Sequence, residues 1–205
     1  MVAKTDGQNA GLSAIDAEMM QRCIRLSATA AQCGELPFAA LVCRGDDIVT
    51  EATNQVVHDG DITRHAELVA VSEAQKILQR RDLSDCTLYT TVEPCAMCSY
   101  AIRETRIGRV VFSIKSPIMG GISKWNVLRD AEISRALPEV FGSVPEVIAG
   151  LARREAEKVW SKWNPLFWSV IKLRGYLGGD AREHLPAIPE RRSLLRRLFS
   201  PHNRR

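Results

Sequence analysis

Apolar residues near the start of the chain recur at the spacing of one helix face. The residues that form this stripe are Ile15, Met19, Cys23, Leu26 and Ala30. Ser13 and Asp16 stand three residues apart in front of the stripe, as in a capping box, and Gly34 is placed to end a helix in a left-handed turn. The pattern therefore predicts a first helix between Ser13 and Gly34.

Short apolar runs then alternate with helical patterns. Strands are predicted at residues 38–43, 48–53, 87–91 and 109–113, with 147–149 as a candidate fifth strand. Helices are predicted over residues 65–79 and from Pro94 onward, because proline is tolerated at the first helical position. Residues 54–61 are polar and indicate a loop. Strands alternating with helices predict an α/β domain in which helices pack against a mixed sheet.

Length and charge divide the chain unevenly. Its 205 residues are 45% hydrophobic and 25% charged, which suits one domain and an extension. We expect the domain at residues 13–163 and an extension at 164–205 that is aromatic, then basic, and partly disordered. Residues 180–205 hold seven Arg and three acidic residues, so the net charge of +4 lies there and residues 1–179 are formally neutral. A nucleic-acid footprint is therefore expected only in the tail or in a local patch.

The expected compartment is the cytoplasm. The chain shows no basic start followed by an apolar run and no stretch of about 18 uncharged apolar residues, so neither a secretory signal nor a membrane span is predicted. The six cysteines show no disulfide framework. Four of them, Cys23, Cys33, Cys43 and Cys86, match no ligand spacing and are expected to be small buried hydrophobes.

The strongest chemical signal is a His-Cys-Cys set. His65-Ala66-Glu67 is followed after about 30 residues by Pro94-Cys95-Ala96-Met97-Cys98. Imidazole nitrogen and thiolate sulfur are preferred zinc ligands, and Cys95 and Cys98 project from nearly the same face of a helix. Three protein ligands, His65, Cys95 and Cys98, leave one tetrahedral position for water, which is typical of a catalytic Zn²⁺ site.

Glu67 is suited to move the proton of a water that zinc activates near neutral pH. Residues two apart in a regular helix point in nearly opposite directions. His65 and Glu67 must therefore lie at the very start of their helix, where free backbone N–H groups could also stabilise negative charge. The alternatives for Cys95-x-x-Cys98 are half of a structural zinc site, which would want a fourth ligand, and a redox pair, which would not explain His65 and Glu67.

The sequence resembles the cytidine deaminase-like superfamily, and within it the group of guanine deaminases and tRNA-specific adenosine deaminases. The signature H-x-E followed by P-C-x-x-C is the established mark of zinc deaminases. The resemblance covers about residues 14–160. It includes Asn54 and the segments 61–63, 88–91 and 106–112.

The resemblance implies a mixed five-stranded sheet sandwiched by helices, one Zn²⁺ per subunit and a homodimer. His65, Cys95 and Cys98 would hold zinc, and Glu67 would be catalytic. Asn54 would hydrogen-bond the base, and the Ala66 backbone would help seat it. Water activated at zinc would attack the ring carbon that bears the amino group, and ammonia would leave. Taken alone, an Asn that closes a strand is more often a turn residue.

Two residues depart from the group's usual pattern. Tyr100 stands two residues after the second cysteine, where a Gly is usual, and Arg64 precedes His65 in place of a small residue. Either could reshape the pocket or a subunit contact, so the substrate cannot be copied from the group. Trp125 follows a Gly-Gly pair and could stack on a base or, equally, pack its loop onto the body.

Two weak patterns lie at the end of the domain and in the extension. The aromatic residues are Trp160, Trp163, Phe167 and Trp168, and a basic amphipathic run covers residues 191–199. An RNA contact or an acidic membrane surface is one interpretation. Packing of the aromatics on the body and a solvated tail is the other, and we favour it.

The leading hypothesis is a zinc-dependent aminohydrolase acting on a small-molecule nucleobase or nucleoside, purine-like and of the guanine type. The neutral body favours this over the runner-up, a tRNA-specific adenosine deaminase that uses the basic tail. A zinc-stabilised binding module without turnover is the third hypothesis, and Glu67 counts against it because a structural zinc site has no use for that carboxylate.

Overall fold

A computed structural model describes residues 12–179 of the chain. The helices are α1 Ala14–Gln32, α2 Val56–Asp59, α3 Ala66–Leu78, α4 Ala96–Glu104, α5 Ala131–Ala136, α6 Arg153–Trp163 and α7 Pro165–Leu173. The strands are β1 Ala39–Arg44, β2 Asp47–Thr53, β3 Cys86–Val92, β4 Arg109–Ile114 and β5 Glu146–Ala149. Within residues 12–179, every helix is too short or too polar to cross a membrane.

The five strands form one mixed sheet in the order β2-β1-β3-β4-β5. Strand β1 is antiparallel to both β2 and β3, whereas β3, β4 and β5 run parallel. Residues along β1 alternate between the two sides of the sheet, as the period of a strand requires. Ala39, Leu41 and Cys43 pack with α1, α6 and α7, while Ala40 and Val42 pack with α3 and α4. The predicted five-stranded α/β sandwich is confirmed.

Helix α1 begins with the predicted capping box. The backbone N–H of Asp16 donates to Ser13 Oγ, and the Asp16 carboxylate accepts from the Ser13 N–H at 2.7 Å. The same carboxylate is 1% exposed and reaches the sheet, where it accepts from Tyr89 Oη at 2.8 Å and Arg109 Nη2 at 3.0 Å. One side chain therefore starts the helix and fixes it to β3 and β4.

Several expectations need correction. The polar segment 54–61 is not wholly a loop, because α2 forms a single helical turn inside it. Helix α4 begins at Ala96 with Cys95 as its N-cap, so Pro94 precedes the helix. Cys33 is exposed rather than buried, since it closes α1 at the surface.

The first part of the extension is a helix packed on the body. Asn164 caps α7 by accepting from the N–H of Phe167 at 2.9 Å, and Pro165 is the first helical residue. Trp160 lies at the centre of the aromatic group, with Phe38 and Trp168 at 5.0 and 5.8 Å between ring centroids. The expected packing of these aromatic residues on the body is what the structure contains. The expectations for the basic tail and its disorder concern residues 180–205, which lie outside the described residues.

Candidate active site

The His-Cys-Cys set comes together at the beginnings of two helices. His65 is the N-cap of α3, and Cys95 is the N-cap of α4; both have extended backbones, with ψ angles of 145° and 175°. Neither side chain caps its own helix. Cys98 lies one turn into α4 on the same side as Cys95. These three residues, hereafter the His-Cys-Cys cluster, therefore point into a common space between α3 and α4.

The spacing of the three donor atoms fits a tetrahedral metal ion. The two sulfurs lie 3.6 Å apart, and His65 Nδ1 lies 3.6 Å from Cys95 Sγ and 3.4 Å from Cys98 Sγ. A tetrahedral zinc site with ordinary bond lengths would place two sulfurs about 3.8 Å apart and nitrogen about 3.6 Å from sulfur. Among the described residues, the donors close enough to share one metal ion are these three. They could hold zinc and leave its fourth position open.

Cys86 is not part of the cluster. It begins β3, at the opposite end of the strand from Pro94, and its sulfur lies 3.5 Å from Asp85. The alternative of a closed structural site therefore finds no fourth ligand among the described residues.

Glu67 lies inside the same space. Its side chain is 6% exposed, in the first turn of α3. Burial, and then the neighbouring Cys95 thiolate, raise the pKa of Glu67 to about 7. Because the backbone of His65 is extended, the side chains of His65 and Glu67 can face the same site although they are two residues apart. This agrees with the expectation that both lie at the very start of the helix.

The thiols of the cluster influence each other strongly. Hydrogen bonds from Cys98 and His65 lower the pKa of Cys95 to about 4, despite its burial. The pKa of Cys98 is raised by the Cys95 sulfur and by burial, and that of His65 is raised by Cys95. A thiolate paired with an imidazole is a ready ligand set for a cation, and a bound Zn²⁺ deprotonates coordinating thiols outright.

Two helix N-termini face the cluster. In α3 the first intrahelical bond runs from Val69 N to His65 O at 3.0 Å, and in α4 from Ser99 N to Cys95 O at 2.8 Å. The N–H groups before these, including that of the fully buried Ala66, have no partner in their own helix. They supply positive potential where negative charge would develop on an oxygen.

Asn54 lies at the end of β2, beside the start of α3. Its neighbour Gln55 donates its N–H to the carbonyl of Arg64 at 3.0 Å, which brings the two segments together next to His65. The Asn54 side chain is 3% exposed and donates from Nδ2 to Glu35 Oε2 at 2.9 Å. Sequence reasoning missed Glu35, because a lone carboxylate after a helix carries no spacing signal.

The loop after β4 is held against the Cys95 segment by Glu93. The carboxylate of Glu93 is 2% exposed and accepts the N–H groups of Ser116, Ile122 and Ser123 at 2.7–3.0 Å. A Cβ at Gly120 would overlap this carboxylate, which explains the glycine. Sequence reasoning missed Glu93 as well, since its partners lie 23 to 30 residues away.

Trp125 stands at the end of this loop. Its indole is 57% exposed, with the Lys124 ammonium 5.9 Å from the ring centroid. That exposure disagrees with the alternative that the ring packs the loop onto the body. Its role as a pocket wall stays a prediction.

The two departures from the family pattern lie on either side of the cluster in sequence, and each makes local contacts. Arg64 donates to Asp59 Oδ2 at 3.0 Å and to Gln55 Oε1 at 2.6 Å, so it fixes the loop in front of His65. Tyr100 is 49% exposed on α4, with its ring edge-on to Phe141 at 5.1 Å between centroids.

A mixed sheet that presents an open nitrogen and sulfur site with a buried carboxylate is the architecture of a zinc hydrolase. Residues 13–114 match the cytidine and deoxycytidylate deaminase zinc-binding region. The tRNA-specific adenosine deaminase of Aquifex aeolicus is 39% identical over 102 residues, which are 49% of this chain and 68% of that protein. A structure of guanine deaminase from Nitrosomonas europaea superposes with a TM-score of 0.60 at 26% identity, covering 75% of this chain and 86% of that one.

The chain therefore belongs to the deaminase family that is defined by the cytidine and deoxycytidylate deaminase zinc-binding region, whose members are zinc-dependent hydrolytic enzymes. It also matches tRNA(Ile)-lysidine synthase of Deinococcus radiodurans, at 40% identity over 141 residues. That match covers 61% of this chain and spans only 24% of that longer protein. The chain is thus similar to proteins whose names give different activities.

Proposed function

We propose that this chain hydrolyses the exocyclic amino group of a free purine-like nucleobase or nucleoside, of the guanine type, and releases ammonia. One observation carries the proposal: three metal-capable donors with an open fourth position lie beside the buried carboxylate Glu67. A structural zinc site would have no use for that carboxylate. Membership in the deaminase family decides against a binding module without turnover.

His65, Cys95 and Cys98 are the proposed zinc ligands, and Glu67 is the proposed catalytic residue. A zinc ion held there would act as a Lewis acid that activates water at neutral pH. Glu67 would take a proton from the attacking water, deliver it to a ring nitrogen of the substrate and pass the second proton to the departing amine. The net change is one C–N bond broken and one C–O bond formed, with water consumed and ammonia released.

Asn54 and the Ala66 backbone are the proposed substrate contacts. Both lie at the junction of β2 and α3 beside His65, and Ala66 is fully buried in the first turn of α3. The Ala66 N–H has no intrahelical partner, which supports a hydrogen bond to the substrate or to the developing oxyanion. Trp125 is retained as a proposed stacking surface, because its ring is exposed at the end of the loop that adjoins Cys95.

Charge favours a small substrate over tRNA. Residues 1–179 are formally neutral, whereas a protein that grips several phosphates needs a basic surface. The second candidate, deamination of adenosine in tRNA, is favoured by the 39% identity to the A. aeolicus enzyme and by the seven Arg within residues 180–205. We also propose a homodimer, which follows from the family resemblance, and a cytoplasmic location, which follows from six cysteines that show no disulfide framework.

A panel of substrates tests the proposal. The zinc-loaded protein is offered guanine, adenine, cytosine, their nucleosides and tRNA, and released ammonia is measured. We expect ammonia from a purine base or nucleoside. Replacement of Arg191, Arg192, Arg196 and Arg197 by Gln in the full chain should leave that rate within about twofold, because free bases carry no phosphate.

The tRNA candidate predicts the reverse result. Ammonia would come from tRNA alone, and the fourfold Arg→Gln variant would lose rate with a weaker dependence on salt. That outcome would replace the proposed substrate and leave the zinc chemistry intact. Absence of ammonia from every substrate would contradict both candidates.

A further inference from the structure

The Glu35 carboxylate is buried, and the proposed reaction does not use it. Its side chain is 6% exposed and follows the end of α1. One oxygen, Oε2, accepts from Asn54 Nδ2 at 2.9 Å, and the other, Oε1, accepts from the backbone N–H of His58 at 2.6 Å. Each oxygen therefore serves one donor. The two donors belong to the segment that connects β2 with the start of α3.

The contact fixes which end of the Asn54 amide faces Glu35. A carboxylate accepts hydrogen bonds and donates none, so the amide must turn its NH₂ group toward it. Among residues 12–179, the Asn54 carbonyl oxygen Oδ1 makes no hydrogen bond, and it is not one of the fully enclosed polar atoms that lack a partner. Asn54 thus keeps a hydrogen-bond acceptor free beside His65.

We infer that Glu35 is a positioning residue that sets the donor and acceptor pattern Asn54 offers to the substrate. The inference rests on the proposed function, in which Asn54 contacts the base or nucleoside. With Oδ1 free, the matching group on the substrate is an N–H or O–H donor. A substrate that placed an acceptor there would meet the carbonyl oxygen and bind more weakly.

The substitution Glu35→Gln turns this inference into a test. Glutamine has the same shape but only one acceptor oxygen. The His58 N–H belongs to the backbone and must keep an acceptor, so the glutamine NH₂ turns toward Asn54. The Asn54 amide then rotates to meet it with Oδ1, which leaves its NH₂ facing the substrate. The variant reverses the hydrogen-bonding pattern at the site with almost no change in volume.

The expected result is a change in substrate binding. For the substrate identified by the ammonia panel, Glu35→Gln should raise KM by about 10- to 100-fold, as expected when a buried hydrogen-bonding group is mismatched, and leave kcat within about threefold. Zinc content should stay at the wild-type value. Glu18→Gln, which alters an exposed carboxylate on α1, is the matched control and should leave KM unchanged.

A double-mutant cycle separates positioning from a structural role. If Glu35 acts through Asn54, then Glu35→Gln should change KM by less than about twofold in an Asn54→Ala background. If Glu35→Gln raised KM by the same factor in the wild-type and the Asn54→Ala backgrounds, the inference would be overturned, because Glu35 would then only hold the segment in place. Glu35→Asp keeps both acceptor oxygens on a shorter side chain. Its KM should therefore lie between the values of the wild type and of Glu35→Gln. It also keeps the test open if Glu35→Gln does not fold.

A second readout does not depend on turnover. The side-chain amide protons of Asn54, assigned in NMR spectra by their loss in Asn54→Ala, should shift upfield in Glu35→Gln, since a bond to a carboxylate is lost. Unchanged amide resonances would overturn the inference. If the wild-type protein released no ammonia but Glu35→Gln still showed this shift, only the proposed function would be refuted. A normal KM in Asn54→Ala would refute the substrate contact and, with it, the inference, while leaving the proposed deamination intact.

Discussion

At the scale of single residues, Glu67 shows how the helix start makes the proposed chemistry possible. In a regular helix the side chains of His65 and Glu67 would diverge. The extended backbone of His65, with ψ of 145°, turns the imidazole back into the space that Glu67 occupies. The carboxylate is enclosed by protein, so in the proposed reaction a proton that it carries would pass to the substrate rather than to bulk water.

The first prediction concerns this carboxylate. Glu67→Gln should lower kcat by about 10²- to 10⁴-fold, because general acid–base catalysis contributes that much, while zinc stays bound. Glu73→Gln, on the same helix and paired with Lys76 at the surface, should keep full activity. Ammonia release and zinc content are measured on both variants. More than about a tenth of wild-type kcat in Glu67→Gln would show that another group carries the proton.

At the scale of elements, Asp16 joins α1 to the sheet on which the site is built. Its carboxylate caps the helix and bonds Arg109 and Tyr89 across 93 and 73 residues of sequence. Burial opposes ionisation of Asp16, but hydrogen bonds from Arg109, Ser13 and Tyr89 outweigh it and hold the pKa well below its ordinary value of 3.8. Loss of this carboxylate would remove the buried anion that faces the Arg109 guanidinium and leave Glu146, which is exposed, as an ion-pair partner.

The second prediction is a change in acid stability. Because the pKa of Asp16 is lower in the folded state, its stabilising effect is complete above about pH 4 and is lost as the pH falls below that value. Asp16→Asn should lower the free energy of unfolding by about 2–3 kcal/mol at pH 7, and the difference from wild type should shrink below about pH 4. Urea unfolding at pH 7 and pH 3 measures both.

The exposed Asp46→Asn in the turn between β1 and β2 is the control and should behave as wild type at each pH. A constant difference between Asp16→Asn and wild type from pH 7 to pH 3 would mean that the ionised carboxylate is not what stabilises the contact.

The elements were predictable wherever one periodicity ran without interruption. The stripe from Ile15 to Ala30 gave α1, and short apolar runs gave all five strands within about one residue. Helices α6 and α7 were missed because their aromatic residues were interpreted by composition. The signal was present, since Asn164-Pro165 is an N-cap followed by proline at the first helical position.

At the scale of the whole molecule, the sheet order brings the site together from distant segments. β3 and β4 are parallel neighbours, so the loops that follow them meet at one edge and put Gly120 beside Cys95. The sequence identified the His-Cys-Cys cluster, Glu67 and Asn54 as candidates because their spacing matches a signature. It could not identify Glu35 or Glu93, whose partners are distant backbone and amide groups without a pattern.

Metal content tests the central claim most directly. Protein purified without added metal should contain one zinc per chain by elemental analysis. Cys98→Ser should lower that value well below one, because a zinc site with an open position has only three protein ligands to lose. Chelation should abolish ammonia release, and added zinc should restore it. A clean preparation with no stoichiometric transition metal, in which added zinc produces no turnover, would contradict the account.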